Sequence, residues 1–234
     1  VLVLVVDSST PAVTAALVEL TADDARTRAL RRAVDGRAHG ELLAPQVARV
    51  FADAGHRPAD LTAIVAGLGP GPFTGLRVGL VTAATMGQVL GVPTYGVCSL
   101  DALGHPAALA DGPGGGHPAG PVLAATDARR REVYWAVHDP TGRRLAGPEV
   151  DTPARVAERA RDLGVVVAVG DGAHRYADQL GLPVADEPRY PAPYALAVLA
   201  AARIRAGAPG EPLTPLYLRR PDAVAATARK PVLR

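Results

Sequence analysis

One pattern occurs twice in this chain and limits its fold more than any other feature. Val1-Leu2-Val3-Leu4-Val5-Val6 is an unbroken apolar run that ends at Asp7 and a polar turn, Ser8-Ser9-Thr10-Pro11. Residues 12–19 then read as a second strand, antiparallel to the first across that turn. Val122-Leu123-Ala124-Ala125-Thr126 repeats the run and again ends in an aspartate, Asp127. Its polar turn, Ala128-Arg129-Arg130-Arg131, leads into Glu132-Val133-Tyr134-Trp135-Ala136-Val137. Apolar runs without alternation belong to strands covered on both faces. Third strands are expected over 26–34 and 144–150. Of Tyr134 and Trp135, one is expected to face the core and the other the surface.

Each half then continues alike. His39–Ala54 has a helical period, with Leu43, Val47, Val50, Phe51 and Ala54 on one face. A buried strand over 61–66 runs into the glycine turn Gly67-Leu68-Gly69-Pro70-Gly71-Pro72-Phe73. A helix follows over 74–90 with Thr74 as its N-cap. Gly91-Val92-Pro93 stops that helix, and Thr94–Val97 is a short strand. The later half offers a helix over 153–163, a buried strand over 165–169, a second glycine turn at Gly170-Asp171-Gly172, and a helix over 193–206. The chain reads as an α/β protein of two duplicated βββαβα-type halves. The halves are placed at 1–105 and 106–234. The stretch 111–121 is too rich in glycine and proline to carry core, and is read as the connection between them or as a long surface loop. The tail 220–234 is expected to be loosely held.

With 234 residues and 48% apolar content, the chain can bury real cores. Its net charge is +2, and every Lys/Arg cation except Lys230 is arginine. No dense basic patch is visible along the sequence, which argues against strong RNA binding by the chain alone. A single cysteine, Cys98, excludes a disulfide framework and a thiolate metal cluster. The first apolar run lacks a basic leader and is too short to span a bilayer. The cytoplasm is therefore the expected location, with no membrane partner.

The glycine turn can cradle an anion or form a tight corner between strand and helix. The phosphate-loop template needs Gly-Lys-Ser/Thr starting five residues after its first glycine. Here Thr74 stands at that place after Gly69, and no lysine is at hand. The dinucleotide fingerprint lacks its third glycine. The six histidines show no pair at helical spacing, since His39 would need a partner at Leu43, so no metal site is expected. None of the three serines sits in Gly-x-Ser-x-Gly. Asp7 and Asp127 each end the first strand of a half. Such an aspartate can hold a metal–phosphate complex through water, or cap its turn by bonding its own backbone. If a trace of a nucleotide site remains, its residues are Asp7, Thr10, Gly69, Gly71 and Asp171. Gly75, Gly79, Ala83 and Gly87 form a stripe almost free of side chain. Glycine inside a helix costs about 1 kcal/mol relative to alanine, so such a stripe marks a close approach. The approaching element belongs to this chain or to a partner.

The turn and its helix, Gly69-Pro70-Gly71-Pro72-Phe73-Thr74-Gly75-Leu76-Arg77-Val78-Gly79, resemble the hallmark of the TsaB proteins, also called YeaZ. That family usually carries serine where this chain has Pro72. Further similarity lies in Val5-Val6-Asp7-Ser8-Ser9-Thr10, in His39 with Leu42-Leu43 and Pro45, and in Asp127-Ala128-Arg129 with Glu132-Val133-Tyr134-Trp135. It continues through Val169-Gly170-Asp171-Gly172-Ala173 and Pro215-Leu216-Tyr217-Leu218-Arg219, in the family's order from end to end.

The resemblance implies the two-lobed ASKHA fold of actin, hexokinase and Hsp70. It implies a part in making N6-threonylcarbamoyladenosine at position 37 of tRNAs that read ANN codons. In that system TsaD performs the transfer, TsaB is its inactive paralogue and dimerisation partner, and the ATPase TsaE completes the set. The implied role is a non-catalytic scaffold without a cofactor of its own, ATP and Mg²⁺ being left to the assembled complex. A homodimer in isolation and contact with tRNA only through the complex are implied as well. TsaD carries His-x-x-x-His where this chain has His39 and Leu43. The family makes its partner contact through the helices of the first lobe. Carried over, this assigns His39, Leu43, Val47, Thr74, Gly75, Val78, Gly79, Ala83 and Gly87 to the interface. The alternative is an autonomous enzyme, an ATP-hydrolysing actin-like protein or a peptidase, resting on Asp7, Thr10 and Asp171.

Overall fold

The computed structural model of the protein describes residues 1–22, 24–110 and 118–219. The chain begins with β1 (Leu2–Asp7), β2 (Ala12–Leu20), β3 (Ala25–Val34), α1 (His39–Ala54), β4 (Ala63–Gly67) and α2 (Phe73–Leu90). It continues with β5 (Thr94–Val97), α3 (Ser99–Leu103), α4 (Pro106–Ala110), β6 (Val122–Asp127), β7 (Val133–His138) and β8 (Arg144–Asp151). It closes with α5 (Pro153–Asp162), β9 (Val167–Val169), α6 (Asp171–Arg175), α7 (Ala177–Leu180) and α8 (Pro193–Arg205).

Two sheets carry the duplicated pattern, ordered β3-β2-β1-β4-β5 and β8-β7-β6-β9. In each, the first three strands pair antiparallel, and the strand after the helix returns parallel to the first. The position of β5 is taken in the second sheet by a single parallel bridge, Ala168 to Val184. This is a two-lobed ASKHA-like arrangement. Two helix ends fall where a glycine turns left-handed: Gly55 after α1 and Gly91 after α2.

β1 is buried from end to end because both faces of its sheet are covered. Leu4 and Val6 join Leu43, Val50, Leu76 and Leu80 beneath α1 and α2. Val3 and Val5 join Leu196, Ala200 and Ile204 of α8. That placement corrects the division at 105/106, because α8 returns to the first sheet. Its alanines bring the helix close, and Leu196 and Ile204 fill the space over β1. The earlier half lends α3 in exchange. Leu100 and Leu103 pack with Val122, Ala124, Tyr134 and Ala136 of the second sheet. Each range closes one core of its own, around Leu43 and Leu76 in the first and around Trp135 and Val156 in the second, and the other two cores are shared.

The same coverage corrects the expectation for the β7 aromatics. Both are buried, Tyr134 toward α3 and Trp135 toward α5, because helices lie on both faces of the second sheet. Residues 111–117 of the stretch 111–121 read from sequence as connection, and the tail 220–234 read as a loose end, lie outside the described residues. No described helix is long and apolar enough to cross a membrane.

Candidate functional site

The glycine turn crosses the end of β1 and is filled by the chain itself. Gly69 has a φ of 84°, a value glycine adopts readily. A Cβ on Gly67 would overlap the Asp7 carboxylate, and one on Gly71 the Ser9 carbonyl. Asp7 Oδ1 accepts from the Ser9 N–H at 3.0 Å and from Ser9 Oγ at 2.8 Å. Its Oδ2 accepts from Ser99 Oγ at 2.6 Å, and that hydroxyl accepts from the Gly69 N–H at 3.1 Å. Burial drives the Asp7 carboxyl above its ordinary range, while the hydrogen bonds from Ser99 and Ser9 pull the other way. Asp7 caps its own turn, and so does Asp127, whose Oδ1 accepts from the Arg129 N–H at 3.1 Å.

Ser8 enters α2. Its Oγ donates to the Gly75 carbonyl at 2.8 Å and accepts from the Gly79 N–H at 2.9 Å, bridging the two ends of one helical rung. A Cβ on Gly79 would stand 2.5 Å from that oxygen. One on Gly75 would stand 3.1 Å from His39 Nε2, which donates to the Thr10 carbonyl at 2.8 Å. Gly87 faces Thr94 in the same way, and Ala83 is fully buried. The stripe is therefore occupied by the β1–β2 turn, α1 and β5 of the same chain.

This placement corrects the assignment of the stripe to a partner. Gly75, Gly79, Ala83 and Gly87 point inward, as do His39, Leu43 and Val47 on α1. Thr74 is exposed and Val78 partly so. Thr74 is also not the N-cap: Pro72 holds that place, already extended into the first turn, and no side chain caps the helix.

The opposite face of α2 carries Thr74, Val78, Val81, Thr85 and Val89. Val81 is 62% exposed and Val89 79%. Their spacing of four, three, four and four is itself helical, a signal present in the sequence beside the glycine stripe. At the start of the helix, the exposed Phe73 stacks on Tyr217 with ring centroids 5.1 Å apart. The Arg77 guanidinium lies 3.7 Å over Phe73 and its Nε donates to the Tyr217 hydroxyl at 2.9 Å.

The second lobe presents a cleft of about 330 Å³ toward Pro11 of the first, lined by Asp127, Asp171, Arg129, Arg175 and Arg189. Asp171 Oδ1 is buried without a hydrogen-bond partner. Burial, with the nearby Asp127 charge, pushes its pKa up to about 6. The suggested nucleotide trace is not gathered in one place. Asp7, Thr10, Gly69 and Gly71 are sealed beneath the turn, and Asp171 alone of that set lines this cleft. Among the described residues, no group of three or more His, Cys, Asp or Glu is placed to hold a metal ion.

Asp171 gives a pH signature. Between pH 4 and 6 the folded chain holds a proton there that the unfolded chain has released, so this group's contribution to stability falls as pH rises through that window. Asp171→Asn removes the loss. Its stability relative to the parent should rise by about 2 kcal/mol from pH 4 to pH 7, allowing for partial exposure, as read by urea unfolding at each pH.

A family model described as TsaD, tRNA N6-adenosine threonylcarbamoyltransferase, matches residues 33–203 and so spans both lobes. The structure is similar to YeaZ from Pseudomonas aeruginosa, with a TM-score of 0.73 and 27% identity over 93% of this chain and 99% of that one. The sequence is 33% identical over 147 residues to the tRNA threonylcarbamoyladenosine biosynthesis protein TsaB of Escherichia coli, covering 61% of each. The chain belongs to the TsaD family, in its TsaB/YeaZ branch. The chain is also similar to an uncharacterized protein of Mycobacterium tuberculosis, 48% identical over 94% of this chain and 93% of that one. The glycine turn that resembles the TsaB/YeaZ hallmark is the one that Asp7, Ser8, Ser9 and Ser99 fill here.

Proposed function

We propose that the chain works in tRNA threonylcarbamoyladenosine biosynthesis as a non-catalytic subunit that binds and organises the transferase TsaD. Family membership supports the pathway. The filled glycine turn supports the non-catalytic role. Both Asp7 carboxylate oxygens and the Ser8 and Ser99 hydroxyls are engaged within the chain. His39 is tied to the Thr10 carbonyl, and Leu43 stands in the core where a second histidine would be needed.

The partner surface in this reading is the outer face of α2, around Val81 and Val89. The isolated chain pairs with a second copy through the same face. TsaE, ATP and Mg²⁺ join the assembled cytoplasmic complex, and this chain has no cofactor of its own. Sedimentation of the chain mixed with the transferase tests the reading. One heavier species is expected; two species sedimenting independently would overturn it.

A further inference from the structure

The β6–β7 turn is made of residues that fit it poorly. Arg129, Arg130 and Arg131 have φ values of 61°, 54° and 61°. The Glu132 N–H donates to the Arg129 carbonyl at 3.0 Å, which makes Arg130 and Arg131 the central pair of a turn with positive φ at both positions. Asn-Gly is the favoured pair there. A residue with a long side chain in that conformation costs roughly 1–2 kcal/mol. All three arginines are exposed, so none of them fills the core.

The fold sets further arginines beside this turn. Arg175 and Arg129 lie 3.9 Å and 4.0 Å from the Asp127 carboxylate, and Arg189 lines the same cleft. Two acids, Asp127 and Asp171, share that cleft, and Glu132 stands next to the turn. The Asp127 side chain is 8% exposed, and Glu132 is paired with Arg219. Arg129, Arg130, Arg131, Arg175 and Arg189 thus outnumber the carboxylates of Asp127, Asp171 and Glu132. Three separated segments contribute these arginines, which is why no basic patch shows along the sequence.

We propose that this arginine turn is a contact for the phosphate backbone of RNA. The proposal rests on the reading above, in which the RNA is the tRNA served by the complex. Guanidinium groups pair with phosphate oxygens through two parallel hydrogen bonds, and exposed ones gain affinity by releasing counterions from the RNA. The left-handed turn sets three arginines on adjacent exposed residues.

The double variant Arg130→Asn with Arg131→Gly installs the favoured turn pair. It should melt a few degrees higher than the parent, so any lost binding cannot come from unfolding. Anisotropy of labelled tRNA, titrated at two salt concentrations, is read on the complex with the transferase and on the chain alone. Assembly should match the parent, tRNA affinity should fall roughly tenfold at low salt, and the slope of log K against log salt should shrink by about 1–2. Unchanged tRNA affinity overturns the proposal. If assembly weakens while tRNA affinity holds, the turn is a protein contact and the proposal is again overturned. A parent chain that does not assemble with the transferase defeats the reading above, and the same comparison on the chain alone then decides the turn. No RNA binding by the parent in either form overturns it too.

Discussion

Val81→Asp should separate the chain from the transferase proposed as its partner without loosening its fold. Val81 lies in the middle of α2 on the face that the lobe leaves to solvent. A substitution there changes stability by about 0.5 kcal/mol or less. Burying an unpaired carboxylate against a partner's apolar surface costs about 3 kcal/mol. That is roughly a 100-fold loss of affinity. Sedimentation of an equimolar mixture reads the loss, and thermal melting of the lone variant checks the fold. Assembly as strong as the parent's would move the contact off this face.

Gly79→Leu should act in the opposite manner, by weakening the lobe itself. Replacing a glycine in an open helix gains up to about 1 kcal/mol. That gain is expected for Gly40→Ala in α1, where an added Cβ meets nothing within 4 Å. At Gly79 the Cβ runs into Ser8 Oγ, and a leucine breaks both hydrogen bonds by which Ser8 holds α2 to the β1–β2 turn. Overpacking and two lost buried hydrogen bonds together come to about 3 kcal/mol, a fall of roughly 10 °C in melting temperature. Calorimetry of the lone chain reads it. A variant that melts like the parent would refute the inward orientation of the stripe. Any loss of assembly in Gly79→Leu then follows from the fold, so only outer-face variants report on the partner contact.

Much of the fold was legible because it is local. The bounds of α1 and β5 follow from helical period and from Gly55, Gly91 and Pro93 as breakers. The buried runs of β1 and β6 follow from unbroken apolar sequence. What escaped depends on contacts between distant residues. α8 is an alanine-rich helix that suits any close-packed surface, and nothing in its own sequence chooses the first sheet over the second. The small-residue stripe shows that something approaches α2 closely, but not that Ser8, 71 residues before Gly79, fills the gap. Thr74 has the right chemistry for an N-cap, yet Pro72 sets the entry to the helix. The arginine patch joins residues from the β6–β7 turn, α6 and the segment before α8, so it has no counterpart in the linear charge pattern.

The most direct measurement is the formation of N6-threonylcarbamoyladenosine in tRNA, with TsaE present throughout, by the transferase alone, by this chain alone and by the two together. Product is expected at full rate only when both are present. Product from this chain alone, or a full rate from the transferase without it, would contradict the proposed role of a non-catalytic organising subunit.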